Sequence, residues 1–381
     1  MLMLMLLREE KKLMNRKNLW RGVLAASMAA SALGAAGGVA AQEYKGMTLT
    51  VLGVNSDINA IYMKTVGEPF EKQTGAKLLI VTGSSTGNLS KALVAKGKTP
   101  SFSVIALENL TQAQAIAAGA IQKLDYSRLP NSKDLAQGAV PLPGYGPAFD
   151  FFRFGTCVNV AQYKAHNIPL PQSVDDWFNP AIAGHNILPT PSNFWWSTGM
   201  QAIAEHYRVP LSDPTPLFAR LKTMKPLALY TASGDAQTQL QSGAAWLAPT
   251  SDGRCFALKL AGQPVDFFPL NLHIGNRIYA YPVGVDSWEI PSGVSGKQLE
   301  LAHIFINMSL DPSAQLPVTH QFGYPPATLK GIRMAEALPE AKRANMYGDS
   351  FSFEQLYTPE AQQFLPVMNH WIALWNQAFA R

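Results

Sequence analysis

The chain has 381 residues, of which 47% are hydrophobic and 15% are charged. This length exceeds what one hydrophobic core comfortably supports, so two domains are predicted. The formal net charge is +5, but six Lys or Arg against two Asp or Glu lie in residues 1–41. The rest of the chain is therefore close to neutral and has no basic stripe, which argues against a nucleic-acid partner.

Residues 1–41 have the pattern of a signal peptide, with Met14 as a candidate start. A basic segment precedes an uncharged run from Gly22, and small residues of a cleavage site end at Ala41. A membrane anchor is the alternative, but the run is rich in Ala and Gly and makes a weak span. No Cys directly follows the apolar run, which argues against a lipid anchor at the new N-terminus. We expect the mature chain to begin near Gln42, free in the periplasm.

The next segment alternates strands and helices in a way that predicts an open, parallel α/β sheet. The predicted strands are Thr48–Leu52, Lys77–Thr82 and Phe102–Leu107. Ligands bind beyond the carboxyl ends of such strands, so the polar residues that follow each strand are candidate ligand contacts. They are Asn55, Asp57, Ser84, Ser85, Thr86, Glu108 and Asn109. Helix capping or turn formation is the alternative role for each of them.

A second lobe is predicted beyond a proline- and glycine-rich linker at Pro141–Pro147. The apolar segment Phe149–Val160 is predicted to be a strand that crosses into this lobe. Two of its loops carry candidate ligand contacts. They are Asn193 and Trp195 in one loop, and Asp252 and Arg254 in the loop Ser251–Arg254 that starts a helix. A tryptophan on such a loop offers a face on which an apolar or cationic ligand can stack.

A late strand, Ile278–Val285, is predicted to return between the lobes and to break open at Asp286. The polar and aromatic residues Asp286, Ser287 and Trp288 would then form a turn that faces the ligand. An ordinary strand end is the alternative.

The two cysteines outside the leader are Cys157 and Cys255. An exported chain meets an oxidising compartment, so one disulfide is conceivable. Because sequence cannot place the two Cα atoms within reach of each other, two buried thiols are the favoured expectation.

The segment Gly83–Gly87 matches G-x-S-x-G between a strand and a helix, which is the setting of a hydrolase nucleophile. Ser85 would be the nucleophile, with Asp286 and either His303 or His320 as partners. No glycine-rich oxyanion loop precedes it, so a secreted esterase is the alternative function and not the favoured one. No His or Cys spacing typical of a metal site occurs, and neither a metal nor a cofactor is expected.

Several motifs, taken in order, resemble the periplasmic solute-binding proteins of ABC importers, close to the spermidine/putrescine-binding class. They are Phe70–Gly75, Gly119–Asp125, Gly155–Asn159, Asp175–Trp177, Gly262–Pro264, Val285–Pro291 and Gly323–Pro326. The resemblance implies the type II two-lobed α/β fold, with an open mixed sheet flanked by helices in each lobe. The implied lobes are 42–148 with 278–328, and 149–277 with 329–381. Hinge closure of the lobes on a ligand is the implied motion.

The resemblance also implies a non-enzymatic, monomeric protein that delivers a small solute to an inner-membrane ABC permease. Asp286 falls where polyamine binders hold an amine, and Tyr324 falls where they place a cleft aromatic. The acidic residues that those proteins carry in the loop at 189–194 are missing, and Arg254 would repel a ligand with several amines. We therefore expect a smaller, zwitterionic or anionic solute, with a polyamine kept as an alternative. Arg254 and Ser84–Thr86 would bind its carboxylate or phosphonate.

Overall fold

The structure is a computed structural model that describes residues 43–192, 194–231, 233–339 and 355–380. The predicted leader therefore lies outside the described residues. The strands are β1 Thr48–Leu52, β2 Lys77–Val81, β3 Val104–Glu108, β4 Ile121–Gln122, β5 Ala148–Asn159, β6 Ile187–Pro189, β7 Ala228–Tyr230, β8 Leu247–Ser251, β9 Val265–Phe268, β10 Leu272–Ile274, β11 Arg277–Tyr279, β12 Tyr281–Pro291 and β13 Leu356–Tyr357.

The α-helices lie on both sides of the main sheet and cap its ends. They are α1 Ser56–Tyr62, α2 Glu68–Thr74, α3 Ser85–Ala95, α4 Asn109–Ala117, α5 Val160–Ala165, α6 Phe194–His206, α7 Thr215–Lys222, α8 Ser233–Gln241, α9 Asp252–Leu260, α10 Gly296–Ser309, α11 Pro312–Phe322, α12 Leu329–Glu336, α13 Ala361–Phe364 and α14 Met368–Phe379. A π-helical turn, Met63–Gly67, joins α1 to α2. In the described parts of the chain, no helix is both long and apolar enough to cross a membrane.

The predicted parallel sheet is confirmed in the first part of the chain. Strand β1 pairs in parallel with β2 on one side and with β3 on the other. The carboxyl ends of these three strands therefore meet at one edge, and the loops at 53–55 and 82–84 together with the start of α4 lie side by side there.

Two long strands, β5 and β12, run antiparallel to each other through the middle of the sheet, whose order is β2-β1-β3-β12-β5-β8. Strand β12 also pairs with β3. The expectation that this strand breaks open at Asp286 is wrong. Strand β12 continues to Pro291, and residues before and after Asp286 pair with the neighbouring strands β3 and β5. A register shift between Asp286 and Ser287 interrupts the ladder with β5 without ending the strand.

Trp288 is two residues beyond Asp286 on β12 and therefore on the same face of the strand, because the extra residue of the register shift, Phe149, belongs to β5. This part of β12 pairs with the interior of β3, away from the cavity end of the sheet, and lies in the first-lobe core. Trp288 is fully buried, with its ring stacked on Phe149 at a centroid distance of 4.3 Å and edge-on to Tyr62 at 5.5 Å. The prediction that Trp288 contacts the ligand is therefore wrong.

The largest hydrophobic cores lie at opposite ends of β5. One packs Tyr62, Phe149 and Trp288 against helices of the first lobe. The other packs Phe154 against helices of the second lobe and the C-terminal helix α14, through Trp371. Strands β5 and β12 run between these cores. The boundary residues given above stay a prediction.

Cys157 on β5 and Cys255 on α9 form a disulfide, with their Cα atoms 5.6 Å apart. The expectation of two free thiols is wrong because β5 pairs with β8, and α9 begins directly after β8. This connection brings the first turn of α9 over β5, although 98 residues separate the cysteines in sequence.

Candidate functional site

A cavity of about 280 Å³ lies where the carboxyl ends of the first-lobe strands meet residues from β5, β8, α9 and the loop after α11. Seven of the predicted ligand contacts line it together. They are Asn55, Ser84, Ser85, Glu108, Arg254, Asp286 and Tyr324. The analysis of the sequence missed the remaining lining residues, which are Val54, Ile58, Gly83, Phe152 and Ser251.

Asn55 and Ser84 are helix caps and also line the cavity. The Asn55 Oδ1 atom accepts hydrogen bonds from the backbone N–H groups of Asp57 (3.1 Å) and Ile58 (2.9 Å). The Ser84 Oγ atom accepts one from Gly87 N at 3.2 Å, so α3 begins at Ser85. The capping alternative is therefore correct for both residues, and the caps hold these loops at the edge of the cavity.

Two buried asparagines that the sequence analysis did not identify hold the same loops in place. Asn88 Nδ2 donates to the carbonyl oxygens of Gly53 (2.9 Å) and Ala106 (3.0 Å), and so ties the ends of β1 and β3 together. Asn59 Oδ1 accepts from Val54 N at 3.0 Å. Both side chains lie on helices, where a polar residue on a buried face is a signal of this role.

Ser85 is 7% exposed, and its hydroxyl is used to join two loops. It hydrogen-bonds to the Thr111 hydroxyl and accepts from Glu108 N at 2.9 Å. His303 lies elsewhere, where its Nε2 accepts from Asp125 N at 3.1 Å and its Nδ1 bonds to Leu299 O at 2.8 Å. Among the described residues, Ser85 has no histidine partner. The esterase alternative therefore has no general base next to its nucleophile.

Three acidic residues lie side by side across three neighbouring strands. Asp286 on β12 is opposite Glu108 on β3 and also opposite Asp150 on β5. Directly opposed residues of antiparallel strands have Cβ atoms about 5 Å apart on one face. We call Glu108, Asp286 and Asp150 the carboxyl row. Glu108 and Asp286 are partly exposed and line the cavity, whereas Asp150 is 1% exposed and lies behind them.

Burial and like charge favour the protonated forms in the carboxyl row. Burial raises the pKa of Asp286 to about 7. Burial, with the added charge of Asp286, raises the pKa of Glu108 to about 8. The pKa of Asp150 is raised well above its ordinary value, first by burial and then by the charge of Asp286. Sequence analysis missed Asp150, because an acid inside an apolar strand gives no sign of which residues it will face.

Arg254 and Tyr324 approach the cavity from the second lobe and from the loop after α11. Arg254 Nη1 donates to Gln237 Oε1 at 3.4 Å, while its buried Nε has no partner in the described chain. The Tyr324 ring stacks with Phe322 at 6.2 Å and lies against Gly253, where an added Cβ would be 2.3 Å from a ring carbon. Glycine at 253 therefore allows the first turn of α9 to approach this ring.

Besides the buried Ser287 and Trp288, four predicted contacts do not line the cavity. Asn109 is buried, and its Oδ1 atom accepts a hydrogen bond from Val285 N at 2.7 Å. Asp252 forms a buried ion pair with Arg153 (Oδ2 to Nε, 2.8 Å), and its side chain is fully buried. Asp57 lies in the first turn of α1 with its side chain exposed, and its backbone N–H donates to the Asn55 cap. Thr86 points its hydroxyl to Ser84 Oγ, at 3.3 Å. Asn193 and the side chain of Trp195 lie outside the described residues.

No group of three His, Cys, Asp or Glu side chains in the described ranges is placed to hold a metal ion. The carboxyl row is a series of neighbouring acids on three paired strands. Such a row suits a cationic group that can hydrogen-bond to more than one oxygen.

A family model of bacterial extracellular solute-binding proteins matches residues 65–342, and the chain belongs to this family. Members are solute-binding components of ABC transporters; they bind small-molecule substrates and interact with a membrane permease. The family implies a periplasmic or extracellular location. A comparison with curated protein sequences gave no significant match.

Solved structures share the two-lobed fold at low sequence identity. An ABC transporter protein from Clostridium perfringens is 21% identical with a TM-score of 0.68, and the match covers 87% of this chain and 99% of that one. The structure described as the Atu4243-GABA receptor is 20% identical, with a TM-score of 0.66 and coverage of 88% and 98%. The spermidine/putrescine-binding protein PotD from Streptococcus pneumoniae is 15% identical, with a TM-score of 0.64 and coverage of 87% and 99%. These similarities establish the fold.

Proposed function

We propose that this protein captures a short solute with an ammonium group at one end and a carboxylate, or a similar anion, at the other. The lobes would close on the solute and deliver it to an inner-membrane ABC permease. One observation carries the proposal. Glu108 and Asp286 line the same small cavity as Arg254, and none of the three takes part in an ion pair with another described residue.

The acidic side of the cavity suits a primary ammonium. Glu108 and Asp286 are neighbours on paired strands, so one ammonium group with three N–H donors can reach oxygens of both. Charge-assisted hydrogen bonds of this kind are stronger than neutral ones, particularly in a closed cleft with little water.

The opposite charge is available from Arg254 and the first turn of α3. A guanidinium binds a carboxylate through two parallel hydrogen bonds, and the buried Nε of Arg254 has no described partner. The Ser84 hydroxyl and the N-terminal end of α3, which is 11 residues long, add hydrogen-bond donors and a favourable dipole. Ser84 and Arg254 therefore form the proposed anion end. Asn55 and Tyr324 would shape the walls between the two ends.

The charge balance distinguishes this solute from a polyamine. A diamine would place its second ammonium near Arg254, and like charges in a closed cleft cost several kcal/mol. The cavity volume of about 280 Å³ lies at the low end for small-molecule sites, which favours a short chain. Two structural neighbours are described by ligands of the two competing kinds, GABA and spermidine/putrescine.

The test compares three solutes of equal chain length: 4-aminobutanoate, 1,4-diaminobutane and butanedioate. Thermal-shift and titration calorimetry measurements should show binding of the amino acid and much weaker binding of the diamine and the diacid, since only the first matches both ends. A ligand that binds the folded state raises its melting temperature with concentration. Preference for the diamine would return the assignment to a polyamine, and preference for the diacid would contradict the role of the acidic residues.

Two variants test the ends separately. Asp286→Asn should weaken binding of the amino acid by about 2–5 kcal/mol, because one member of a buried charge pair is removed. Arg254→Met should weaken it to a similar extent while leaving the preference for an amine. Arg333→Met, on the exposed side of α12, is the matched control and should bind like the unmodified protein. Unchanged affinity in Asp286→Asn would remove this residue from the site.

A further inference from the structure

Asp150 is a buried acid that the cavity does not reach. It is 1% exposed, and its carboxyl group interacts with Asp286: the backbone N–H of Asp286 opposes the rise in the pKa of Asp150, and the Asp150 side chain opposes the rise in the pKa of Asp286. It lies opposite Asp286 in the ladder between β5 and β12. The hydroxyl of Tyr62, buried and unpaired in the described chain, belongs to the same surroundings, because the charges of Asp150 and Asp286 add to the rise in its pKa.

The elements around Asp150 contribute acids and hydroxyls but no positive charge paired with it. Strands β3 and β12 contribute Glu108 and Asp286, and α1 contributes Tyr62. Asp252 from α9 is near enough for its charge to raise the pKa of Asp150 further, but it is already paired with Arg153 at 2.8 Å. Arg254 is a positively charged residue that lines the cavity, and it belongs to the second lobe.

Adjacent buried carboxylates without a cation cannot all be ionised. The cost of bringing each charge out of water adds to their mutual repulsion, so a proton is retained on at least one of them. Asp150 is the most buried member, and the backbone N–H of Asp286 opposes the effect of burial on its pKa only in part. It is therefore the member best suited to remain neutral.

We propose that Asp150 is a specificity-determining residue that stays protonated at neutral pH and donates a hydrogen bond towards Asp286. A cationic solute then displaces a proton from Glu108 or Asp286. This rests on the proposed function. The one bond that breaks is the carboxyl O–H bond of Glu108 or Asp286: its proton passes to water or buffer, the electron pair stays on the carboxylate, and Asp150 keeps its own proton. The carboxyl row then gains about one negative charge on binding, which matches a single ammonium group and not a divalent cation.

Infrared spectroscopy of the ligand-free protein tests the first half of this proposal. The carbonyl stretch of protonated carboxyl groups, followed from pH 5 to pH 10, should persist above pH 8 in the unmodified protein. Asp150→Asn, which has the same shape as the protonated acid, should lose the part that persists at the highest pH. Asp57→Asn, at an exposed position, is the control and should leave the spectrum above pH 8 unchanged. A signal identical in Asp150→Asn and in the unmodified protein would overturn the assignment to Asp150.

Calorimetry with 4-aminobutanoate in buffers of different ionisation enthalpy tests the second half. About one proton should be released at pH 7. The affinity should increase by up to about tenfold for each unit by which the pH is raised towards 7, and it should level off above pH 8. Asp150→Asn should release as many protons as the unmodified protein, whereas Glu108→Gln should release fewer. Binding without proton release would overturn this proposal and leave the proposed function in place. Absence of binding would instead count against the proposed function, and the infrared result would still decide the state of Asp150.

Discussion

Two groups of buried charge lie within a few residues of each other, and they are arranged in opposite ways. Arg153 and Asp252 are paired at 2.8 Å with side chains 3% and 0% exposed. The carboxyl row has three acids, and no cation in the described parts of the chain forms an ion pair with any of them. A buried charge with a partner serves the fold, whereas a buried charge without one costs stability unless a ligand supplies the partner. This difference indicates which charges belong to the scaffold and which are available for a solute.

The paired charges support the first turn of α9. Asp252 accepts from Arg153 Nε and from Gly253 N, both at 2.8 Å, so the start of this helix is held against β5. The Arg153 guanidinium also lies over the rings of Tyr281 at 5.2 Å and Phe256 at 5.6 Å. Burial raises the pKa of Asp252, and the charge of Arg153 opposes that rise. Arg254 is two residues further along, so this pair positions the residue proposed to bind the anion.

The largest expected effect comes from breaking the pair. Arg153→Met should lower the free energy of unfolding by about 3–5 kcal/mol, because Asp252 is left buried without its partner. Urea unfolding followed by circular dichroism measures this change. Arg333→Met makes the same substitution at an exposed arginine and should change the free energy of unfolding by no more than about 0.5 kcal/mol. If both variants unfold at the same urea concentration, the pair does not support the fold and the comparison fails.

The disulfide is a second support of the same helix turn. Replacing both cysteines, Cys157→Ala with Cys255→Ala, should lower the free energy of unfolding by about 2–4 kcal/mol, since the crosslink restricts a long segment of the unfolded chain. Denaturant unfolding with and without a reducing agent measures the effect. The reductant should destabilise the unmodified protein and leave the double variant unchanged. Equal stability of oxidised and reduced protein would show that the ion pair alone holds α9.

The sequence predicts the first-lobe sheet well because that part depends on local patterns. Alternating strands and helices identify β1, β2 and β3, and the rule that ligands bind beyond the carboxyl ends of strands leads to Asn55, Ser84 and Glu108. Capping and ligand contact both require a polar residue at the same place in the chain. Local sequence therefore identified these positions without separating their two roles.

Several of the failed predictions depend on pairing between distant segments. Trp288 is buried because the part of β12 after Asp286 pairs with the interior of β3 and packs against Phe149 and Tyr62. Asp252 is withdrawn from the cavity by Arg153, which is 99 residues away in sequence. The cysteines meet for the same reason, and Asp150 becomes part of the carboxyl row only through the ladder of β5 with β12. No local pattern carries this information.

The smallest expected effect is an increase in the free energy of unfolding, and it concerns the unpaired acids of the carboxyl row. Burial raises the pKa of Asp286 to about 7, well above the value of about 3.9 for an unfolded chain. The folded, ligand-free protein thus binds more protons than the unfolded chain between about pH 4 and pH 7, so its stability falls as the pH rises through that range. Asp286→Asn lacks this titration. Its stability should equal that of the unmodified protein near pH 4 and exceed it at pH 9. The full shift corresponds to about 4 kcal/mol, and solvent screening of this partly exposed carboxyl reduces the expected gain to on the order of 2 kcal/mol.

Urea unfolding of the ligand-free protein at pH 4, 7 and 9 measures this gain, with Asp57→Asn as the control for loss of an exposed acid. The gain should disappear when a saturating cationic solute is added, because the ligand then supplies the partner that Asp286 lacks. An Asp286→Asn protein that is less stable than the unmodified protein at pH 9 would mean that Asp286 is already paired in the empty cavity. In that case the acids of the carboxyl row would belong to the scaffold, as Asp252 does, and would not be available for a ligand.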